Sequence, residues 1–454
     1  MSFKPLNILS ALSALSPLAV FLIIFLGSGL YFSLQETPYA FYQISASVAI
    51  LPAIILAIII SREPIQKSMN IFLEGVRDNN IIIMCLIYLL AGALATVLQN
   101  IGSVKSIVHY ALHFIPAKMA LPALFVISAL VSTAMGTSMG TIAAVGPIGA
   151  AIASSIELSL PIAMGTIVGG SMFGDNLSVI SDTSIAATQI HGCSALEKFR
   201  SNFTIALPAM IITLIILLVM NHNPKNTTIP VEDYQLLLSL PYLAILGLAL
   251  SGFNVFVVLT SGILIAGTIG LFTIPSYSFL NLSKSIFDGY KSMTEILILS
   301  LLMGGLSALI KSKGGFTLIT QIFERMIRTK DQVSTRSAEG AICAIVSFTD
   351  ICTANNTMAI ILSGEVTREI AIRHHIPAHR AATLVDLFSC IFQGILPYSA
   401  QVLLAGSLAH ISPLMIVPHI YYCFLLGGMG SIAILLQWPS SSSSQKKEVL
   451  NLTT

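Results

Sequence analysis

The sequence predicts an all-α, polytopic membrane protein of roughly ten to twelve transmembrane helices, with inverted repeats, broken helices and re-entrant hairpins. Three observations carry that prediction. The chain of 454 residues is 55% hydrophobic but only 9% charged, against about 25% charged in a typical soluble domain, and its mean hydropathy is +0.88. A water-facing surface must be solvated, so this composition excludes an ordinary soluble fold. Apolar runs approaching the ~20 residues needed to cross a bilayer recur along the whole chain. The remaining polar residues gather in a few short stretches inside those runs. A net charge of +2 with no basic stripe gives no footprint for nucleic acid. Cys85, Cys193, Cys343, Cys352, Cys390 and Cys423 lack C-x-x-C spacing and read as small apolar fillers.

In chain order, the apolar runs lie at about 12–33, 40–60, 81–97, 119–135, 161–174, 203–220, 236–250, 253–273, 294–310, 339–351, 381–396 and 414–436. The first is preceded only by Lys4 and has no small-residue cleavage site, so it reads as a retained helix and not a signal peptide. The loop at 34–39 has no Lys or Arg, whereas 61–79 carries Arg62, Lys67 and Arg77. By the positive-inside rule the N-terminus is then cytoplasmic. The expected organisation is an N-terminal helix over 1–38, a first repeat over 39–220, a polar linker at 221–234, a second repeat over 235–438 and a disordered polar tail at 439–454.

The repeat rests on matched landmarks. Glu74-Gly75 on an amphipathic run is followed by Gly92 and Gly102; Asp288-Gly289 on another is followed by Gly305 and Gly315. "STAMGTSMGTIAA" pairs with "FTDICTANNTMAI", placing Thr133 opposite Thr349, 216 positions on. A shift of 217 puts Gln393 opposite Asn176. Inverted repeats are a common plan of secondary transporters, with the site at the midplane between halves.

The stretch "GSMFGDNLSVISDTS" (170–184) carries Asp175, Asn176, Ser178, Ser181, Asp182 and Thr183 where leucines would be cheaper. A charge at a bilayer centre costs about 2.5–3.5 kcal/mol on insertion scales, so an intramembrane carboxylate points to function. On one continuous helix Asp175 and Asp182 would share a face about 10 Å apart, too far to hold one ion together. The Gly169-Gly170 pair and Gly174 therefore suggest a broken helix whose freed carbonyls and hydroxyls turn inward. Clustered oxygens suit a hard cation, with Asp175 and Asp182 as candidate carboxylate ligands. The plainer alternative makes Asp182 part of an ordinary helix N-terminus, with Ser181 and Thr183 as capping neighbours.

Two further polar stretches read as hairpin tips. "GTSMGT" (136–141) places Thr137, Ser138 and Thr141 along a substrate path, or merely allows close helix packing. It formally fits the G-x-S-x-G elbow of hydrolases, but the flanks are membrane helix and the histidines fall mostly in loops. "TDICTANNTMAI" offers Asp350, Asn355, Asn356 and Thr357; adjacent asparagines favour a turn. "TLVDLFSCIFQGILPYSAQ" adds Asp386 and Gln393 before a break at Pro397, then Ser399. Gln393 and Ser399 join the first tip as gating candidates. The G-x-G-D signature of intramembrane aspartyl proteases fails, because Met172 and Phe173 precede Gly174-Asp175.

"GTSMGT", "GSMFGDNLSVISDTS" and "TDICTANNTMAIILSG" resemble signatures of the NhaC-type sodium/proton antiporter family, in the ion transporter superfamily, and the resemblance spans about 70–435. It implies that Asp175, Asp182, Asp350, Asn355 and Asp386 fall on the family's polar membrane positions. The chain departs from the family's S-P-x-S-D-T at Ser178-Val179, from its Glu-Asp pair at Val385-Asp386 and from its Pro-Trp-Asn at Pro397-Tyr398-Ser399. The expected function is therefore Na+/H+ exchange at buried aspartates, with no enzymatic step and no cofactor beyond the transported ions. The alternative is Na+- or H+-coupled carriage of a small organic acid or amino acid, with Arg380 assisting. The expected partners are the lipid bilayer and these solutes, not nucleic acid, with room for a homodimer; the resemblance implies a bacterial inner membrane.

Overall fold

A computed structural model describes residues 8–35, 43–103, 106, 116–179, 181–220, 236–314 and 334–438. The linker expected at 221–234 and the tail at 439–454 lie outside the described residues. Within them the chain is helical and holds no strand. Among the described residues seven helices are long and apolar enough to cross a membrane, and an eighth appears if the bent pair Pro413–His419 and Tyr421–Leu436 counts as one span. Shorter apolar helices occur at Ser13–Gly29, Ala46–Ser61 and Leu236–Leu248. The architecture is that of an all-α polytopic membrane protein.

The first half runs α1 (Ile8–Leu34), α2 (Ala46–Ser61), α3 (Ile65–Val76), α4 (Asn79–Asn100), α5 (Ala120–Met135), α6 (Ser138–Ser155), α7 (Leu160–Leu177), α8 (Asp182–His191) and α9 (Ala195–Met220). The second runs α10 (Leu240–Leu250), α11 (Val255–Thr273), α12 (Phe279–Ser292), α13 (Thr294–Ser312), α14 (Thr335–Thr353), α15 (Asn356–Arg373), α16 (Ala378–Ile395), α17 (Ala400–Ala409) and, after a single turn at Pro413–Ile416, α18 (Tyr421–Leu436).

The packing is reciprocal. Amphipathic α3 lies on α13, and amphipathic α12 lies on α4. Glycine makes both crossings possible: a Cβ at Gly75 would meet the Gly304 carbonyl oxygen, and one at Gly92 would meet that of Gly289. Small residues at a crossing let two backbones touch, the usual device where lipid supplies no hydrophobic drive between helices.

The short helices after the two breaks cross over as well. α8 packs on α15 and α16, where Ala187 joins Ile342, Val346, Ile360 and Val385 in an apolar cluster. α17 packs on α6 and α7, with Val402 and Leu404 in the main core. Each half therefore completes the other's core, which brings both breaks and both tips to one place.

One expectation about local structure changes. α7 is a continuous helix through Gly169, Gly170 and Gly174, and its break comes only after Leu177. A Cβ at Gly170 would strike the Phe125 carbonyl oxygen and one at Gly174 that of Ala129. These glycines bring α7 against α5 and do not unwind it.

Candidate functional site

Asp175 lies in the last turn of α7, 5% exposed. Its Oδ2 accepts from the Ser138 hydroxyl at 2.8 Å and from the Ser138 backbone N–H at 3.3 Å. Its Oδ1 accepts from the Ser181 hydroxyl at 2.5 Å, and Ser181 Oγ lies 2.9 Å from Thr183 Oγ1. Local structure explains both contacts. Gly136 (φ +69°) ends α5 in the left-handed region, and Thr137 caps α6, leaving Ser138 at that helix's N-terminus. Ser178 and Ser181 bound the break after α7, and Ser181 stands at the N-cap of α8. A carboxylate thus meets the free N–H groups of one helix start and the hydroxyl of another.

The second half repeats the backbone device with different side chains. Ala354 (φ +49°) ends α14 in the left-handed region, and Asn355 caps α15 by accepting from the Met358 N–H at 3.0 Å. Asn356 Oδ1 accepts from the Thr357 N–H, and its amide reaches Cys390 Sγ at 3.7 Å. Ser399 caps α17 by accepting from the Val402 N–H. The caps pair at 137 with 355 and at 181 with 399, both 218 positions apart. That register sets Gln393 opposite Asp175, one place from the Asn176 expected from the sequence. Gln393 donates to the Ala354 carbonyl (3.1 Å) and to Gln401 Oε1 (2.7 Å), and Gln401 donates to Ser138 Oγ (3.1 Å).

These groups surround a cavity of about 80 Å3. The first half contributes Thr137, Ser138, Asp175, Ser181, Asp182 and Thr183. From the second come Asn355, Asn356, Thr357, Gln393 and Gln401. A larger chamber of about 450 Å3 adjoins it, walled by Glu74, Asp78, Lys311, Thr353 and the shared Asn355.

The other expected residues stand apart from that lining. Thr141 is buried but donates to the Thr137 carbonyl of its own helix, so it supports the tip without facing the path. Asn176 is fully buried, its carbonyl accepting from Lys198 and Asn202 and its amide reaching the Tyr422 hydroxyl. Asp350 is fully buried, and neither carboxylate oxygen has a hydrogen-bond partner.

Three expectations need correction. Asp182 is exposed: it occupies the first turn of α8, where a negative side chain suits the helix dipole, and it reaches the cavity from that turn. It is therefore not a second buried carboxylate beside Asp175. Asp386 is buried with its charge already paired: Oδ2 is bound by Lys198 at 2.6 Å and by the Asn202 amide at 2.8 Å, while Oδ1 has no hydrogen-bond partner. Arg380 is not free to assist a substrate; it forms a two-pronged pair with Glu339 (3.1 Å on each side) and donates to the Ala433 and Trp438 carbonyls.

Sequence reasoning missed Lys198 and Asn202, and took Gln401 only as a polar residue after the break at Pro397. Lys198 is 2% exposed, and its ammonium also holds Ser184 Oγ and the Asn176 carbonyl. Its neighbours Glu197 and Arg200 make the local sequence look like an ordinary water-facing helix start; only the arrival of Asp386 from the other half reveals the pair.

Comparison with known proteins agrees with this architecture. Residues 2–222 match the family described as the Na+/H+ antiporter family. Over 386 residues the chain is 22% identical to the Na+/H+ antiporter NhaC of Bacillus subtilis, covering 78% of this chain and 83% of that one. Over its first half the chain is similar to the Na+/H+ antiporter family. Its apolar spans make it an integral membrane protein, and the similarity is to secondary transporters. Other relatives carry different names: the malate-2H+/Na+-lactate antiporter of B. subtilis is 22% identical over 364 residues, 73% of this chain and 76% of the relative. The arginine/ornithine antiporter ArcD of Halobacterium salinarum is 21% identical over 371 residues, 75% of each.

Proposed function

We propose that this antiporter exchanges Na+ for H+ at Asp175. One observation carries the reading: a buried carboxylate, held only by hydroxyls and a backbone N–H, opens onto a small polar cavity framed by both tips and both breaks. A buried charge is costly unless compensated. Either a proton or a cation compensates Asp175, and the two compete for one place. That competition is the coupling. The Ser181 and Thr183 hydroxyls and the tip residues Asn355 to Thr357 supply the neutral oxygens that a hard cation favours. The cavity's size supports a bare or partly hydrated ion, since sites for organic ligands run to about 300–1,000 Å3.

In this reading the halves form an inverted repeat about the site, and alternating access moves one set of helices against the other. The reciprocal packing and the shared register of the caps support it. The similarity to bacterial antiporters supports a bacterial cytoplasmic membrane, and the basic residues Arg62, Lys67 and Arg77 support an N-terminus inside.

The second reading, coupled carriage of a small organic acid or amino acid, draws on the 450 Å3 chamber and on relatives named for malate, lactate, arginine and ornithine. Proteoliposomes separate the two. A Na+ pulse that shifts a trapped pH dye with no organic solute present supports Na+/H+ exchange; a dye response that requires an added carboxylate or amino acid overturns it in favour of the organic carrier.

A further inference from the structure

The hydrogen bonds around Asp175 have a direction, and that direction divides the work between its two oxygens. The order is set at the far end. The Ala354 carbonyl can only accept, so the group facing it at 3.1 Å is the Gln393 amide nitrogen. That same nitrogen contacts Gln401, which must present its oxygen there (2.7 Å) and its nitrogen to Ser138 Oγ (3.1 Å). Ser138 Oγ, now accepting from Gln401, has one hydrogen left and gives it to Asp175 Oδ2 at 2.8 Å. The Ser138 backbone N–H points at the same oxygen. Every link donates toward Asp175, and no link can reverse without opposing two donors or two acceptors.

Oδ1 faces the opposite situation. Its partner Ser181 also touches Thr183, and two hydroxyls in contact can exchange donor and acceptor roles by rotation. With Asp175 ionised, Ser181 donates to Oδ1 and accepts from Thr183. With a proton on Oδ1, Asp175 donates to Ser181, whose hydrogen turns to Thr183. In the second state the Thr183 hydrogen leaves Ser181, and Thr183 lines the cavity into which it can turn. A proton on Oδ2 would confront the Ser138 hydrogen, which has no other acceptor to turn to, because the Gln401 side presents a donor. Asp386 and Cys390 on α16, Lys198 on α9, Tyr422 on α18 and Asp182 on α8 are the titratable groups nearest this part of α7, and none bonds either oxygen.

We propose that Gln401 is a positioning residue of the ion site: through Ser138 it commits Asp175 Oδ2 as a permanent acceptor and leaves Oδ1, with Ser181 and Thr183, as the oxygen where ions exchange. The chain begins at the second half's tip and ends on the first half's carboxylate. The substrate-binding atom is thereby tied to the position of the opposite half. This inference rests on the Na+/H+ reading and adds to it a residue and an atom.

The test is a double-mutant cycle in proteoliposomes, reading Na+-driven proton flux as KM for Na+ and maximal rate. Gln401→Met keeps the length of the side chain and removes its donor. Loss of one hydrogen bond's orientation should raise KM about 3- to 10-fold, with the maximal rate near that of the parent. In a Ser138→Ala background Gln401→Met should add nothing further, because its effect travels through that hydroxyl. Gln401→Leu, of different shape, guards against a packing artefact and should reproduce the KM change; Gln393→Met should give a smaller rise. A parental KM in folded Gln401→Met and Gln401→Leu, or effects of Ser138→Ala and Gln401→Met that simply add, overturns the proposal. Asp175→Asn separates the two levels. Persistent exchange in that variant overturns the Na+/H+ site itself, whereas its loss alongside a parental Gln401→Met overturns only the positioning role.

Discussion

The two broken helices use one backbone design for opposite ends. After α7 the chain stops helically at Ser178 and restarts at Ser181, and Asp175 in the last turn before the break opens to a cavity. After α16 it stops at Leu396 and restarts at Ser399, and the matching residue is Gln393, a neutral amide. The second half does keep a carboxylate nearby, Asp386, but closes it with the Lys198 ammonium from α9. The group that must change partners in the proposed exchange faces hydroxyls and a cavity. One that must not change is locked by an ammonium. On the proposed reading, the comparison teaches that what surrounds a buried acid, more than its presence in the membrane, suits it to exchange ions.

The comparison can be broken at either end. The largest effect is expected at the open site: Asp175→Asn should reduce Na+-driven proton flux in proteoliposomes to the level of empty vesicles, because the amide can bear neither ion. At the locked site, Lys198→Met should destabilise the protein by about 3–5 kcal/mol by stranding Asp386. Thermal or denaturant unfolding in detergent would read this, and the double variant Lys198→Met/Asp386→Leu should recover most of the loss. If Asp386 instead carries the exchanging ion, that double variant folds but does not transport. A smaller effect is expected at the cradle: Ser138→Ala removes a hydrogen bond to a charged group, worth about 1.5–3 kcal/mol, so Na+ affinity should fall about 10- to 100-fold. The smallest belongs to exposed Asp182, where Asp182→Asn should change KM by no more than about 5-fold, an effect that shrinks as ionic strength rises.

Much of the fold was legible in the sequence because membrane crossing writes a long, simple signal. The apolar runs at 203–220 and 294–310 fall inside α9 and α13, and the run at 253–273 covers α11 from two residues before its start. The polar stretches around Ser138, Asp175, Asn355 and Gln393 stood out against an apolar background, and the structure gathers them around one cavity. What the sequence hid depended on contacts between distant segments. Lys198 looks like a surface residue until Asp386 meets it. Gln401 gains its meaning from a bond to Ser138, 263 residues away. The glycines of α7 were ambiguous for the same reason: a glycine that allows unwinding and one that admits a neighbouring helix are identical in sequence, and only the nearness of Phe125 and Ala129 decides between them. Asp182 shared the signature of Asp175, but one turn past the break its side chain leaves the core.

The central claim is that a proton and a sodium ion compete for Asp175, and proton release on binding tests it without any transport assay. Purified protein in weakly buffered detergent solution, with the protein initially protonated, should acidify the medium when NaCl is added. It should not do so with choline chloride, and Asp175→Asn should release nothing. An unchanged pH in the parent protein, or equal release from Asp175→Asn, would contradict the account.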